Sequence, residues 1–143
     1  MTQVTLEQAR TIIRETLARG VAEGFKPLSV VVLDAGGHVV AFERSDGAAP
    51  GRFGIAQGKA YGAVMLGIAG TAQLARAEAQ SYFMLAANGV YGGKVVPVPG
   101  GILLREAEGG PVIGAVGITG DTSDNDVIAG RAGIAAAALL GED

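Results

Sequence analysis

The sequence predicts an α/β (α+β) fold in which an antiparallel sheet lies between helices, and three features of the chain lead there. Two pairs of short apolar segments read as hairpins, which favours antiparallel pairing. The run Leu28-Ser29-Val30-Val31-Val32-Leu33 is apolar at nearly every position, so that strand wants cover on both faces. Most of the remaining length carries helical spacing and supplies that cover.

In chain order, residues 5–24 read as a helix. Thr5 is a natural N-cap, and Leu6, Ala9, Ile13, Leu17 and Val21 share a face. Gly24 can end it and Pro27 forbids continuation. The strand 28–33 turns at Asp34-Ala35-Gly36-Gly37 and returns as His38 to Arg44, with a loop over Asp46 to Gly51. Residues 53–69 and 72–88 read as two helices parted near Gly70-Thr71. A short strand is expected over Lys94–Val98, ended by Pro99-Gly100-Gly101. Ile102–Glu106 and Val112–Thr119 form the second hairpin. Ser123-Asp124-Asn125-Asp126 resembles a capping box opening a last helix that runs to about Leu140.

The 143 residues suit one domain, 1–143, without repeat or linker. Charged residues make up 17 % and the net charge is −3, which argues against a nucleic-acid or anionic-membrane surface. With no cysteine, disulfides, thiolate metal sites and a Cys nucleophile are excluded together. The first residues show no basic and apolar leader pattern, so a cytoplasmic place is expected.

Between Arg52 and Arg76 the only charged residue is Lys59. A helix without a polar face has no free side, so a homo-oligomer is expected, with a helix buried inside one chain as the alternative. The lone ammonium of Lys59 must reach water or meet an acid, either Asp46, Asp126 or a ligand carboxylate. The single histidine rules out a two-histidine site such as HExxH within a chain and leaves Ser-His-Asp chemistry in need of unusual help, and neither a Walker loop nor a dinucleotide fingerprint is present.

Three segments together resemble the GlcG/HbpS family of haem-binding proteins, which includes the C-terminal domain of the PduO-type cobalamin adenosyltransferase. They are Val32 to Ala48 (VLDAGGHVVAFERSDGA), Lys59-Ala60-Tyr61, and Pro99-Gly100-Gly101 joined to Val112–Gly120 and Asp126. The likeness runs from about residue 5 to 140. It implies a profilin-like fold, a five-stranded antiparallel sheet between helices, and homo-oligomers that reach octamers. It also implies haem or another tetrapyrrole as ligand. The PduO-type domain ligates haem through a histidine on its first helix, and residues 5–24 here contain none. Ser45 stands where the family commonly has Met.

The candidate residues each carry two readings. His38 is a haem or metal ligand, or a surface histidine beside a turn. Arg44 and Asp46 clamp a carboxylate, such as a haem propionate, or pair with each other. Gly100 and Gly101 present bare amides to a ligand or only bend the chain. Gly120 precedes the last helix like an anion site, but Asp121, Asp124 and Asp126 already bring negative charge there. Thr119 is an oxygen donor, and Tyr61 and Tyr91 stack on or ligate a planar cofactor or belong to the core. The leading function is small-molecule binding of the GlcG/HbpS type in a homo-oligomer. The alternatives are a lyase, isomerase or tautomerase acting on a small carboxylic acid through Lys59, Arg44 and Asp46, and an assembly module without ligand.

Overall fold

The computed structural model describes residues 2–143. Five helices, α1 (Leu6–Ala22), α2 (Arg52–Leu66), α3 (Gly70–Ala79), α4 (Ser81–Val90) and α5 (Ser123–Ala136), accompany five strands. The strands are β1 (Ser29–Asp34), β2 (Val39–Arg44), β3 (Gly101–Arg105), β4 (Gly114–Thr119) and β5 (Leu140–Glu142). They form one sheet in the order β2-β1-β4-β3-β5, with every neighbouring pair antiparallel.

The alternation of side chains along each strand feeds two cores. Val30, Val32, Ile102, Leu104, Val116 and Ile118 face α1 and α5 and pack with Ile12, Ile13 and Ile134. Val31, Leu33, Leu103 and Ala115 point the other way and meet Ala56, Ala60 and Ala63 of α2. The central strands are thus buried on both faces, as the Val30–Leu33 run requires.

The α2 side is unusually close. Gly101 and Gly117 are register partners on β3 and β4, side by side beneath the helix. An ideal Cβ on Gly117 would lie 1.9 Å from the Ala56 carbonyl oxygen, and one on Gly101 would lie 2.2 Å from that of Lys59. Two missing side chains therefore make a trough into which α2 sinks.

Four expectations change. Lys94–Val98 is not a strand. It crosses α2, where the Val96 N–H donates to the Gly58 carbonyl at 3.2 Å, and Pro97 and Pro99 lack the N–H a ladder needs. The fifth strand is instead β5, since the last helix stops at Ala136 and Ala138 adopts φ +57° to turn the chain onto β3. The helix expected over 72–88 is two, broken at Gln80 (φ −141°, ψ 65°), with the guanidinium of Arg76 stacked 3.9 Å over Phe83 across the bend. The cap of α5 is Thr122, whose Oγ1 accepts from the Asn125 N–H at 3.2 Å, so Ser123 lies inside the helix. The complete capping box is at α1, between Thr5 and Gln8.

The uncharged stretch that suggested an interface finds much of its cover within the chain. Ala56, Ala60 and Ala63 seat on the sheet, while Gly58 and Gly62 lie against residues 94–96 and Gln73. Ile55 of α2 remains exposed, but the largest group of strongly exposed apolar side chains on one element, Tyr82, Leu85 and Val90, lies on α4.

Candidate functional site

Two groups of side chains stand out. The first is built where α2 crosses the end of β4. Lys59 is 3 % exposed, and its ammonium donates to the Ile118 carbonyl at 2.9 Å and to Asp126 Oδ2 at 3.1 Å. Asp126, on the first turn of α5, is 1 % exposed, and its other oxygen accepts the Asp121 N–H at 3.0 Å. One turn pair away on α2, Arg52 donates through Nη1 to Thr119 Oγ1 at 2.8 Å. Gly100 (φ +112°) closes the group from below; a Cβ there would sit 2.9 Å from Lys59 Nζ.

Burial governs the electrostatics of this group. It pushes the Lys59 ammonium down and the Asp126 carboxyl up, each shift opposed by the partner's charge, while Arg52 adds to the push on Lys59. The neighbouring Asp121 behaves oppositely. The Lys26 N–H, the Asn125 side-chain amide and the Thr122 N–H hold its carboxyl down to about 2. Chemically, the cluster clips α2 to the β4–α5 turn, with the Lys59 and Asp126 charges answering each other and Arg52 held by a neutral hydroxyl.

The second group is the β1–β2 turn. Asp34 Oδ1 accepts the N–H groups of Gly36 and His38, each at 2.9 Å, and lies 3.2 Å from His38 Nδ1. Burial alone would raise the Asp34 carboxyl, but the two amides and the imidazole together hold it below its ordinary value. The imidazole itself stands out in solvent, 81 % exposed. The turn rests on α2: a Cβ on Gly37 would meet Met65 Cε at 2.9 Å and the Tyr61 ring at 3.2 Å. Tyr91 meets Tyr61 edge-on with centroids 6.3 Å apart, and the Lys94 ammonium lies 5.2 Å from the Tyr61 ring centre.

The sequence-derived candidates therefore divide. Lys59, Gly100 and Thr119 share the buried cluster, with Gly101 directly under the Lys59 backbone. His38 and Tyr61 share the turn. Arg44 and Asp46 are exposed, and among the described residues neither pairs with the other or with Lys59. Asp46 instead borders a cleft of about 160 Å³ with Leu17, Phe25 and Lys26. Lys59 is not the surface residue that a polar strip with Gln57 and Gln73 would make it; Gln73 too is fully buried. Sequence reasoning missed Arg52. Its signal was the spacing to Lys59, seven residues on, which places both on one helix face. Among the described residues no group of three or more His, Asp or Glu side chains could hold a metal ion, and no helix is long and apolar enough to cross a membrane.

Known proteins bear out the resemblance. A double mutant of Streptomyces reticuli HbpS is 31 % identical, with a TM-score of 0.78 over 94 % of this chain and 87 % of that one. The crystal structure of HbpS gives 28 % identity and a TM-score of 0.80 over 94 % and 90 % of the two chains. The PduOC:heme complex gives 23 % identity and a TM-score of 0.86 over 99 % and 100 %, a likeness of fold. No match was found among curated proteins. The family described as "Haem degrading protein HbpS-like" matches residues 4–135, nearly the whole sheet and all five helices, and the chain belongs to that HbpS-like family.

Proposed function

We propose that this chain binds haem or a related tetrapyrrole as a single HbpS-like domain, with His38 as the iron ligand. The observation that carries the reading is the Asp34–His38 pair. A carboxylate on Nδ1 fixes the ring and its tautomer and leaves Nε2 free as a donor, the arrangement that metal-binding imidazoles commonly have. Helix α1 holds no His, Met, Tyr or Cys, so the iron cannot be ligated from there by the usual side chains. Under the same turn, Met65 and Tyr61 lie against Gly37 as an apolar and aromatic surface, and Lys94, over the Tyr61 ring, supplies a cation for a propionate. Haem, when bound, supplies a redox-active iron; the chain supplies the imidazole, its orienting carboxylate and that surface. Support from outside the geometry comes from the family and from the haem complex of PduOC.

Hemin titration tests it. His38→Ala is expected to displace the Soret band of the complex, and Asp34→Asn to weaken binding about 10–100-fold, the usual effect of losing an orienting partner. An unchanged band and affinity in His38→Ala would overturn the assignment and pass the iron to an oxygen donor such as Tyr61 or Thr119.

We also infer a homo-oligomer, carried by α4 rather than α2. No charged residue occurs between Glu78 and Lys94, and Tyr82, Leu85 and Val90 are 69 %, 74 % and 77 % exposed. α4 packs on α3 and leaves this face outward. Such a patch marks a surface that associates. Light scattering is expected to give a multiple of the 14.3 kDa chain mass, and Leu85→Glu to reduce it. A monodisperse 14.3 kDa particle at micromolar concentration sinks the idea.

A further inference from the structure

Away from both groups, a cleft of about 560 Å³ opens between the β3–β4 turn, α5 and β5. Two guanidinium groups line it, Arg105 from the end of β3 and Arg131 from α5. Arg105 is held in place independently of β5, because its Nη1 donates to the Gly110 carbonyl at 2.6 Å. Its Nε and Nη2 then point to a single oxygen, Glu142 Oε1, at 3.3 and 3.0 Å. Arg131 forks onto both oxygens of Asp143. The two arginines are thus answered by consecutive residues, one of them ending β5.

We propose that this cleft is a binding site for a small dianion, a dicarboxylate or phosphate, and that Glu142 and Asp143 are its built-in competitors. The charges support the exchange. With the β5 segment seated, two arginines face three carboxylates, because Glu108 also lines the cleft, and an anion is repelled. With Glu142 and Asp143 withdrawn, two arginines face one carboxylate and the sign reverses. What holds the segment is weak. Glu142 is 52 % and Arg131 53 % exposed, so both pairs are open to solvent and screened by salt. The ladder to β3 is three residues long, on the sheet edge. A free dianion offers Arg105 a bidentate partner where Glu142 presents one oxygen, while Arg131 exchanges the fork of Asp143 for another.

Titration with succinate, and in parallel with inorganic phosphate, followed through the arginine Nε–H resonances, tests this independently of haem. Glu142→Gln with Asp143→Asn is expected to tighten binding of at least one probe about tenfold, the gain if the segment occupies the arginines nine-tenths of the time. Adding Arg131→Gln to that variant should abolish the gain. Arg131 is an exposed helix residue, so the fold survives its replacement, whereas Arg105→Gln removes the bond to Gly110 that holds the β3–β4 turn. No tightening in the double variant, or tightening that survives Arg131→Gln, overturns the proposal.

Discussion

Asp126→Ala is expected to destabilise the protein by about 3–5 kcal/mol, because it leaves the Lys59 ammonium buried with only the Ile118 carbonyl as acceptor. Lys59→Met should cost a similar amount, since Asp126 keeps a single donor, the Asp121 N–H. Lys59→Met combined with Asp126→Leu should recover most of the loss, because replacing both ions with packed apolar groups removes the desolvation penalty as well as the attraction. Urea unfolding of the two single variants and the double gives the coupling directly. The pH dependence of Lys59→Met has a definite sign. Without the ammonium only the Asp121 N–H still opposes the upward push of burial on Asp126, whose ordinary value is 3.8. Native protein then holds a proton that unfolded chain has released, so this variant gains stability relative to the parent as pH falls through the raised value toward 3.8. Single variants that lose less than about 1 kcal/mol would mean that water reaches the pair and that the clip is a surface contact.

That Lys59 meets an acid was legible because a lone charge in an uncharged helix leaves few physical choices; that the acid is Asp126 and not Asp46 or a ligand carboxylate was not, since it depends on burial by sheet and helix and on where α5 begins. The central strands were legible for the same kind of reason: Val30 to Leu33 cannot satisfy one face alone. What stayed hidden depends on partners distant in sequence. Leu140-Gly141-Glu142 has no strand pattern of its own and is extended because β3 offers an edge. Lys94 to Val98 looks like a strand by composition, but it packs on Gly58 of α2, a contact no local periodicity encodes. The break at Gln80 has neither Gly nor Pro to mark it. At the candidate haem site, Asp34 read as a turn former. Its geometry shows the same carboxylate capping the turn amides and touching the imidazole, two roles that a spacing of four residues permits but does not announce.

Gly117→Ala is expected to cost about 1–3 kcal/mol or more, and Gly54→Ala to be neutral or to gain about 0.5–1 kcal/mol, although both add one methyl. Gly117 lies in the trough under α2, where the new carbon would come 1.9 Å from the Ala56 carbonyl oxygen and 3.2 Å from Ala60 Cβ. Both neighbours belong to backbone or to a rigid alanine, so relief requires lifting the helix from β4. That movement also carries Arg52 and Lys59 away from Thr119 and Ile118, and loosens the buried cluster together with the core. Gly54 is exposed near the start of the same helix with nothing within 4 Å of its would-be Cβ, so alanine there only lowers the entropy lost on folding. Thermal unfolding of the two variants should move the midpoint in opposite directions, or leave Gly54→Ala unmoved, by about 2–4 °C for each kcal/mol. Equal midpoints for Gly117→Ala and the parent would mean that α2 does not seat in the trough, and the buried Lys59–Asp126 contact would fall with it.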